Sequence, residues 1–321
     1  MLYLSVCSGI EAATVAWKPL GWKASAFSDI DPFSRDLLKY HYPSTPLHGD
    51  FRTIGEKDYG AINLLVGGTP CQAFSVAGLR KGFGDDRGNL TLAFLQLLKR
   101  KRPKWVVWEN VPGVLSHDKG RTFGAFLGGL GQCGYGFAYR VLNAQYFGVP
   151  QRRKRVFVIG CLGDWRSPAK VLFEPEGLSG NITAKCLTAR GAGGQNLDQD
   201  TANFITIPIN TMTMMGRPSD DLKPRMGSGI GKNVDPCPTI TKGHSHAVAF
   251  TKNDGGRDMK KKYSIRRLTP IECERLQGFP DNYTNIPGAK DGKRYAAIGN
   301  SMAVPVMAWL GSRINIIDLL T

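Results

Sequence analysis

The chain has 321 residues and a formal net charge of +16, which predicts a polyanionic partner, with nucleic acid favoured over an anionic membrane surface. Seven cysteines without a CxxC pair argue against a disulfide framework or a zinc ribbon and favour a reducing cytoplasm. No apolar run reaches about 18 residues, so no transmembrane helix is expected.

The length predicts a full hydrophobic core, divided between two domains. The N-terminal residues MLYLSVCSGIEAA contain no basic leader, so no secretory signal is expected. Cys237, His244 and His246 come nearest to a metal cluster, but they lack a fourth ligand at a sensible spacing. We therefore expect a cytoplasmic monomer that binds neither a metal ion nor a membrane.

The first part of the chain alternates apolar strands with amphipathic helices, which predicts an α/β fold with a doubly wound sheet. The predicted strands cover residues 2–6, 23–27, 62–66, 105–108, 137–142 and 156–160. The predicted helices cover EAATVAWKPL, PFSRDLLKYH and LTLAFLQLLKRK. Ligands are expected at the carboxyl ends of the strands.

From about residue 165 the chain consists of short polar and glycine-rich pieces without a helical period. This segment is either a small, mostly β domain or a partly disordered insertion. We favour the domain because ITAKCLTA, NFITIPI and HAVAFT contain β-branched and apolar residues. CLTARG and CPTITKG hint at an internal similarity. The predicted domains are 1–165 plus 288–321, and 166–287.

Helical signals return near the C-terminus. Thr269, Pro270 and Glu272 form a capping box with proline at the first helical position, and Gly278 is expected to end a helix of about two turns. Pro305 is tolerable only in a first turn, so an apolar helix is predicted there. We expect this last helix to dock on the first domain.

The stretch GGTPCQAFS follows a predicted buried strand and contains Cys71. A free cysteine is usually a small buried hydrophobe, but Cys71 lies in a polar loop in which proline restricts the main chain and glycines let it approach a ligand. Such a loop aims a side chain. A thiol is intrinsically nucleophilic, although only a few per cent of it is ionised at neutral pH. The loop alone leaves a reactive role and a packing role open.

Charged side chains lie at the ends of two other predicted strands: Glu109 follows WVVW, and QRRKR leads into VFVIG. Glu109 emerges after WVVW at the sheet edge expected to hold Cys71, although an acid in this position is more often an N-cap or a surface group. In QRRKR, strand alternation places Arg153 and Arg155 on one face, and the plain alternative is a solvated basic edge.

The turn SVCSGIEAA joins the first strand to the first helix, where a dinucleotide or nucleoside site is expected. Asp29 follows this turn by about twenty residues, which is the spacing of a ribose-binding acid in a Rossmann-like site. The sequence therefore indicates a nucleoside-binding turn with a carboxylate beside it.

In order, the segments GGTPCQAFSVAG, ENVPGVL, FGVPQRRKR, RRLTPIECERLQGFP and AIGNSMAVP resemble the motif series of the DNA cytosine-5 methyltransferases. The resemblance covers both flanks of the chain and leaves out the middle, where that family has its variable target-recognition region. It implies the Rossmann-like mixed sheet of the class I S-adenosylmethionine-dependent methyltransferases. It also implies S-adenosyl-L-methionine as methyl donor and a cytosine flipped out of double-stranded DNA as substrate.

The resemblance assigns catalytic roles. Cys71 matches the nucleophile, whose thiolate adds to carbon 6 of cytosine. Glu109 matches the acid that contacts ring nitrogen 3 and the exocyclic amine. Arg153 and Arg155 match the pair that supports the base carbonyl and the catalytic geometry, and Arg155 or the local main chain is expected to raise the thiolate fraction of Cys71.

The resemblance also assigns cofactor contacts. The expected cofactor-binding residues are Ser8, Gly9, Ile10, Asp29, Ile30, Asp50, Phe51, Pro70, Leu90, Asn300 and Ser301. The family usually begins Phe-x-Gly-x-Gly-Gly, whereas Cys7 replaces the aromatic residue here and Glu11 and Ala12 replace the last two glycines. These departures predict weaker cofactor binding, and Cys7 is expected to be a packing residue.

Three other functions compete with this assignment. Structured RNA such as transfer RNA is the alternative substrate, although the long middle segment favours reading of a DNA groove. A catalytically weak DNA-binding protein of the same fold is an alternative from another class. A nicotinamide dehydrogenase is disfavoured because the fingerprint GxGxxG is missing.

Overall fold

The computed structural model describes residues 1–70, 90–173, 207–210, 237–238, 246–252 and 262–321, with side chains over 1–70, 90–173 and 266–321. The strands are β1 (Leu2–Val6), β2 (Lys23–Ser28), β3 (Leu47–His48), β4 (Leu64–Gly67), β5 (Trp105–Asn110), β6 (Tyr135–Asn143), β7 (Gln151–Arg152), β8 (Lys154–Leu162), β9 (Ile207–Asn210), β10 (Cys237–Pro238), β11 (His246–Lys252) and β12 (Lys262–Arg267). The α-helices are α1 (Ala12–Trp17), α2 (Pro32–His41), α3 (Leu90–Lys101), α4 (Arg121–Gln132), α5 (Arg166–Leu172), α6 (Pro270–Gln277), α7 (Asp291–Asn300) and α8 (Val304–Leu320).

A seven-stranded mixed sheet has the order β3-β2-β1-β4-β5-β8-β6. The five strands from β3 to β5 are parallel to one another, while β8 runs antiparallel to both β5 and β6. The chain changes direction along the sheet between β1 and β4, which is the switch point where ligands bind in doubly wound folds. The predicted α/β fold is confirmed.

The central strands are apolar along their whole length because helices cover both faces of the sheet. Leu64, Leu65 and Val66 of β4 are at most 1% exposed, and Trp105–Trp108 of β5 are fully buried. Helix α2 begins with Pro32 after Asp31, whose side chain accepts a 2.9 Å hydrogen bond from the Ser34 backbone N–H. Helices α2 and α3 have the bounds that their amphipathic patterns predict.

Helix α4, with the sequence RTFGAFLGGLGQ, was not predicted. Its four glycines disfavour a helix by about 1 kcal/mol each relative to alanine. Packing overrides this preference, because a Cβ at Gly129 would lie 2.4 Å from Leu95 Cδ1 of α3. Phe126 packs against Trp108 with a ring-centroid distance of 4.2 Å. Gly129 thus allows α4 to approach α3 closely, whereas Cβ atoms at the other three glycines would meet open space.

The last helix, α8, docks on α1 as expected. The Trp17 indole N–H donates a 2.8 Å hydrogen bond to the Met307 carbonyl, and a Cβ at Gly311 would lie 2.4 Å from the same indole. By length and composition alone, one described segment, Asp291–Leu320, is long and apolar enough to cross a membrane. It is divided into α7 and α8, and α8 buries one side against the sheet domain, as the core helix of a folded domain does.

The chain divides into two compact units, one comprising Met1–Asn143, Lys154–Gly180 and Ser301–Thr321 and the other Ala144–Arg153 and Asn181–Asn300. The first unit contains the seven-stranded sheet. Helix α5 belongs to it because α5 packs on β6 and α8, and α7 belongs to the second unit with α6. The predicted target-recognition domain, 166–287, stays a prediction as a functional division.

The second unit contains the antiparallel sheet β12-β11-β9 and the parallel pair β10-β7. Strands β9 and β11 overlap the predicted NFITIPI and HAVAFT and each ends one residue beyond them, whereas ITAKCLTA and CLTARG lie outside the described residues. The capping box of α6 is confirmed: the Thr269 backbone N–H donates to Glu272 Oε2 at 2.7 Å, and the Glu272 N–H donates to Thr269 Oγ1 at 3.3 Å. Gly278 ends α6 at φ +81°.

Candidate active site

One edge of the large sheet brings together the predicted functional residues of the first unit. The parallel strands β1, β2, β4 and β5 all end there. Because β8 is antiparallel, its first residues lie at the same edge, with Val156 opposite Asn110 and Phe157 opposite Glu109. This register places Arg155 beside Glu109, although 45 residues separate them in sequence.

Glu109 and Arg155 form an ion pair at this edge. Arg155 Nε lies 3.2 Å from Glu109 Oε1, and the two side chains are 15% and 12% exposed for Arg155 and Glu109 respectively. Burial lowers the pKa of Arg155, and the Glu109 carboxylate opposes that shift. The Arg155 guanidinium also donates to the Lys154 carbonyl at 2.8 Å. The pair therefore holds the Glu109 carboxylate in one orientation with little competing water.

The chain passes Glu109 directly after strand β4. A Cβ built at Gly68 would lie 3.1 Å from Glu109 Oε2, so a larger side chain at Gly68 would push against the carboxylate. Pro70, which is predicted to contact the cofactor, lies two residues after Gly68 and is exposed. Cys71 itself lies outside the described residues. The last described residues before it nevertheless run past the Glu109 carboxylate.

Exposure alternates along QRRKR as strand alternation predicts. Arg153 is only 2% exposed and Arg155 is partly buried, while Arg152 and Lys154 are exposed. Arg153 belongs to the second unit and Arg155 to the first. The structure therefore brings Arg155 to Glu109, and a catalytic role for Arg153 stays a prediction.

The predicted cofactor turn lies between β1 and α1. Gly9 has φ +56°, and no atom lies within 4 Å of a Cβ built on it, so the turn leaves open space above its main chain. The Gly9 backbone N–H donates to Asp29 Oδ2 at 2.7 Å, and the Asp31 N–H donates to Asp29 Oδ1 at 2.8 Å. Burial raises the pKa of Asp29, and these hydrogen bonds oppose the shift. Ile30 is 73% exposed beside this carboxylate.

The side chains of the other predicted cofactor residues differ in their exposure and in their contacts. Ile10 and Phe51 are 0% and 4% exposed, so their side chains belong to the core. Asp50 is held by Arg52, whose Nε donates to Oδ2 at 2.9 Å, and this contact lowers the pKa of Asp50. The Ser8 hydroxyl donates a hydrogen bond to the Ser5 carbonyl, and Leu90 packs against the hydrophobic core. Ser301 is buried, whereas Asn300, which belongs to the second unit, is exposed.

Glu11, a departure from the family pattern, points into the protein. It is 1% exposed at φ +60° and caps α1: its Oε2 accepts from the Thr14 N–H at 3.2 Å and from the Thr14 hydroxyl at 2.6 Å. The Ser5 hydroxyl donates to its other oxygen. The added carboxylate is therefore part of the support beneath the cofactor turn, which sequence alone did not reveal.

Cys7, a second of the three departures, packs against the hydrophobic core as expected. Burial, followed by the charges of Asp29 and Asp50, raises the pKa of the Cys7 thiol to about 12. Cys7 is therefore a neutral thiol at physiological pH and a poor nucleophile.

Glu11 is expected to make stability depend on pH. Burial raises its pKa in the folded protein, so its protonation stabilises the fold; that contribution is complete below about pH 4 and is lost as the pH rises through the native pKa. Urea unfolding of wild type and Glu11→Gln between pH 4 and 8 should show a weaker pH dependence in the variant. The exposed Glu56→Gln is the matched control. Identical profiles for wild type and Glu11→Gln would contradict the prediction.

Among the side chains that the structure describes, no group of three or more His, Cys, Asp or Glu is arranged to hold a metal ion. Cys237, His244 and His246 lie outside these side chains.

Comparison with solved structures identifies the class of fold. The crystal structure of the S. pombe Dnmt2 methyltransferase matches with a TM-score of 0.66 and 19% identity, covering 100% of this chain and 99% of that chain. The structure of a Spodoptera frugiperda DNMT2 mutant matches with a TM-score of 0.64 and 18% identity, covering 98% and 99%. At these identities the likeness concerns the fold, which is that of the class I S-adenosylmethionine-dependent methyltransferases.

The model of the C-5 cytosine-specific DNA methylases matches residues 1–315, and the chain belongs to this family. The type II methyltransferase M.HaeII of Haemophilus aegyptius is 31% identical over 99% of this chain and 94% of its own length. A protein of Escherichia phage P1 named DNA N-6-adenine-methyltransferase is 34% identical over 98% of this chain, which spans 61% of that protein. Family and fold identify S-adenosylmethionine as the methyl donor.

Proposed function

We propose that the protein transfers a methyl group from S-adenosylmethionine to carbon 5 of a cytosine flipped out of a specific double-stranded DNA sequence, through a transient covalent bond to Cys71. The observation that carries the proposal is the Glu109–Arg155 pair, which lies against Gly68, three residues before Cys71. The net charge of +16 and the family match over residues 1–315 support a DNA substrate.

The cofactor turn fits S-adenosylmethionine. The open space above Gly9 admits a ligand close to the main chain, the Asp29 carboxylate can accept hydrogen bonds from ribose hydroxyls, and Ile30 offers an exposed apolar surface for an adenine ring. The bound cofactor supplies an electrophilic methyl group. The residues of the turn would bind the rest of the cofactor and so orient its methyl group at the sheet edge where Glu109 lies.

Carbon 5 of cytosine is too weak a nucleophile to take a methyl group unaided. The Cys71 thiolate adds to carbon 6, forming a carbon–sulfur bond and giving carbon 5 enamine character. Glu109 donates a proton to ring nitrogen 3 as the sulfur adds, which neutralises the charge that builds on the ring, and its other oxygen accepts a hydrogen bond from the exocyclic amine. Arg155 orients the carboxyl group and stabilises the carboxylate that is left. When carbon 5 receives the methyl group, S-adenosylhomocysteine is the leaving group. The carbon 5 proton then passes to solvent, the Cys71 sulfur departs, and nitrogen 3 returns its proton to Glu109, which restores the aromatic ring and the free thiolate.

A cytosine inside a duplex cannot reach this edge, so the base must be extruded, at a cost of a few kcal/mol. Residues 166–287 are the proposed target-recognition region, and contacts of Lys and Arg with phosphates offset the cost of extrusion. We propose that residues 166–287 select the sequence and that residues 1–165 together with 288–321 perform the chemistry.

The test compares substrates and products side by side. Methyl groups from labelled S-adenosylmethionine should enter duplex DNA as 5-methylcytosine, with little transfer to transfer RNA or to adenine. Duplex containing 5-fluorocytosine should form a denaturation-resistant adduct with the protein. Label in transfer RNA alone would move the substrate to RNA, label on adenine would overturn the cytosine chemistry, and DNA binding without an adduct would favour a non-catalytic binder.

A further inference from the structure

Thr69, the last residue before Pro70 and Cys71, is held by three buried hydrogen bonds. The Trp108 indole N–H donates to Thr69 Oγ1 at 3.0 Å, and the hydroxyl oxygens of Thr69 and Thr91 lie 3.0 Å apart. The Asn110 side-chain amide donates to the Thr69 carbonyl at 2.9 Å. We call these four residues the Thr69 anchor. Each of them is at most 4% exposed.

The anchor fixes the peptide group that leads into Pro70. Proline has no N–H, so the carbonyl of Thr69 is the single strong hydrogen-bonding group of that peptide unit. Asn110 is itself oriented, because its Oδ1 accepts a 2.8 Å hydrogen bond from the Val111 N–H and its nitrogen must therefore be the donor toward Thr69. Asn110 therefore fixes the plane of this peptide group, and Asn110 lies on β5, the strand that also carries Glu109.

The side chain of Thr69 is also held in one orientation. An indole N–H can only donate, so Thr69 Oγ1 accepts from Trp108. Trp108 is fully buried and is held by Phe126, whose ring centroid lies 4.2 Å from its own. Proline at the next position also restricts the backbone of Thr69 to extended conformations. Side chain, carbonyl and backbone of Thr69 are thus all constrained.

We propose that the Thr69 anchor positions the loop that delivers Cys71, which makes Thr69 and Trp108 positioning residues for attack on the base. The inference rests on the proposed function. One residue separates Thr69 from the nucleophile, while Trp108 and Asn110 flank Glu109 on β5. The anchor therefore ties the root of the nucleophile loop to the strand that holds the base-contacting acid, and an error of about 1 Å in such an alignment can cost about 100-fold in rate.

The test is the rate of adduct formation with 5-fluorocytosine duplex in a single turnover, at saturating DNA and cofactor. Thr69→Val keeps the shape and removes the hydroxyl, so the hydrogen bond from Trp108 and the one shared with Thr91 are both lost. It should slow adduct formation by about tenfold or more. Dissociation constants for S-adenosylhomocysteine and DNA should change by less than about twofold. Thr69→Ser retains the hydroxyl and should restore most of the rate.

Two further variants separate positioning from folding. Thr122→Val removes another buried hydroxyl, which lies 2.9 Å from His117 Nδ1, and should leave the adduct rate unchanged. Trp108→Phe removes the indole N–H, and combining it with Thr69→Val should slow the reaction less than the product of the two single effects, because both act on one hydrogen bond. If Thr69→Val does not fold, Trp108→Phe carries the same test.

The inference is overturned if Thr69→Val, or Trp108→Phe in its place, forms the adduct at the wild-type rate. It is also overturned if adduct rate and ligand affinity fall together, because that pattern indicates general loss of structure. Absence of an adduct with wild-type protein would instead contradict the proposed function, so the two failures are distinguishable.

Discussion

Replacement of Cys71 by serine is expected to reduce methyl transfer to duplex DNA by about 10³-fold or more, equivalent to at least about 4 kcal/mol of activation free energy. A hydroxyl is a far weaker nucleophile than a thiolate at neutral pH, so carbon 6 would not be attacked and carbon 5 would stay unreactive. Initial rates with labelled S-adenosylmethionine and adduct formation with 5-fluorocytosine duplex both measure the effect.

The same variant should keep its cofactor and DNA affinities, because it changes one atom in an otherwise intact site. Cys133→Ala is the matched control: Cys133 is buried in the core at the end of α4, and its loss should leave adduct formation intact. Methylation by Cys71→Ser at the wild-type rate would rule out the covalent mechanism.

Glu109→Gln is expected to lower kcat/KM by about 10² to 10³-fold, in the range found when one preorganised electrostatic contact to a transition state is removed. The amide retains the shape of the side chain but cannot give a proton to ring nitrogen 3, and it loses the ion pair in which Arg155 Nε lies 3.2 Å from Glu109 Oε1. The loss should appear in kcat and in the rate of adduct formation. Loss confined to KM would show that Glu109 only binds the base.

Arg155→Met should impair the same step because it releases the Glu109 carboxylate. A double variant, Glu109→Gln with Arg155→Met, should be much less impaired than additive single effects predict, since the two residues act as a pair. Lys154→Met is the matched control, with the same change of charge one residue away at an exposed position. Its single-turnover adduct rate at saturating DNA should stay within about twofold of wild type, as surface changes usually do. Strict additivity of the pair would contradict the assigned contact.

Most strands were predictable because central strands of a covered sheet are apolar throughout. LYLSV, WVVW and VFVIG all lie within observed strands, and the capping box at Thr269 marked the start of α6 correctly. These features depend on a residue's near neighbours in sequence. They can therefore be predicted from the sequence without knowledge of the fold.

Helix α4 and the direction of β8 were not predictable in this way. The glycines of α4 are poor helix formers, and the close approach to Leu95 that requires glycine at position 129 exists only in the folded protein. The strand pattern of VFVIG is the same for either direction of the strand, so pairing with β5 decides where Arg155 lies.

Sequence by itself determined the alternating α/β organisation, the capped helix, the ordered motif series and the identity of the catalytic candidates, because propensity and motif spacing are local properties. Tertiary structure decided which candidates meet: the antiparallel β8 brings Arg155 to Glu109, Gly68 passes that carboxylate, and Glu11 turns inward beneath the cofactor turn. These contacts join residues from separate strands and turns. Their geometry follows from strand register and packing, which the linear order of residues does not encode directly.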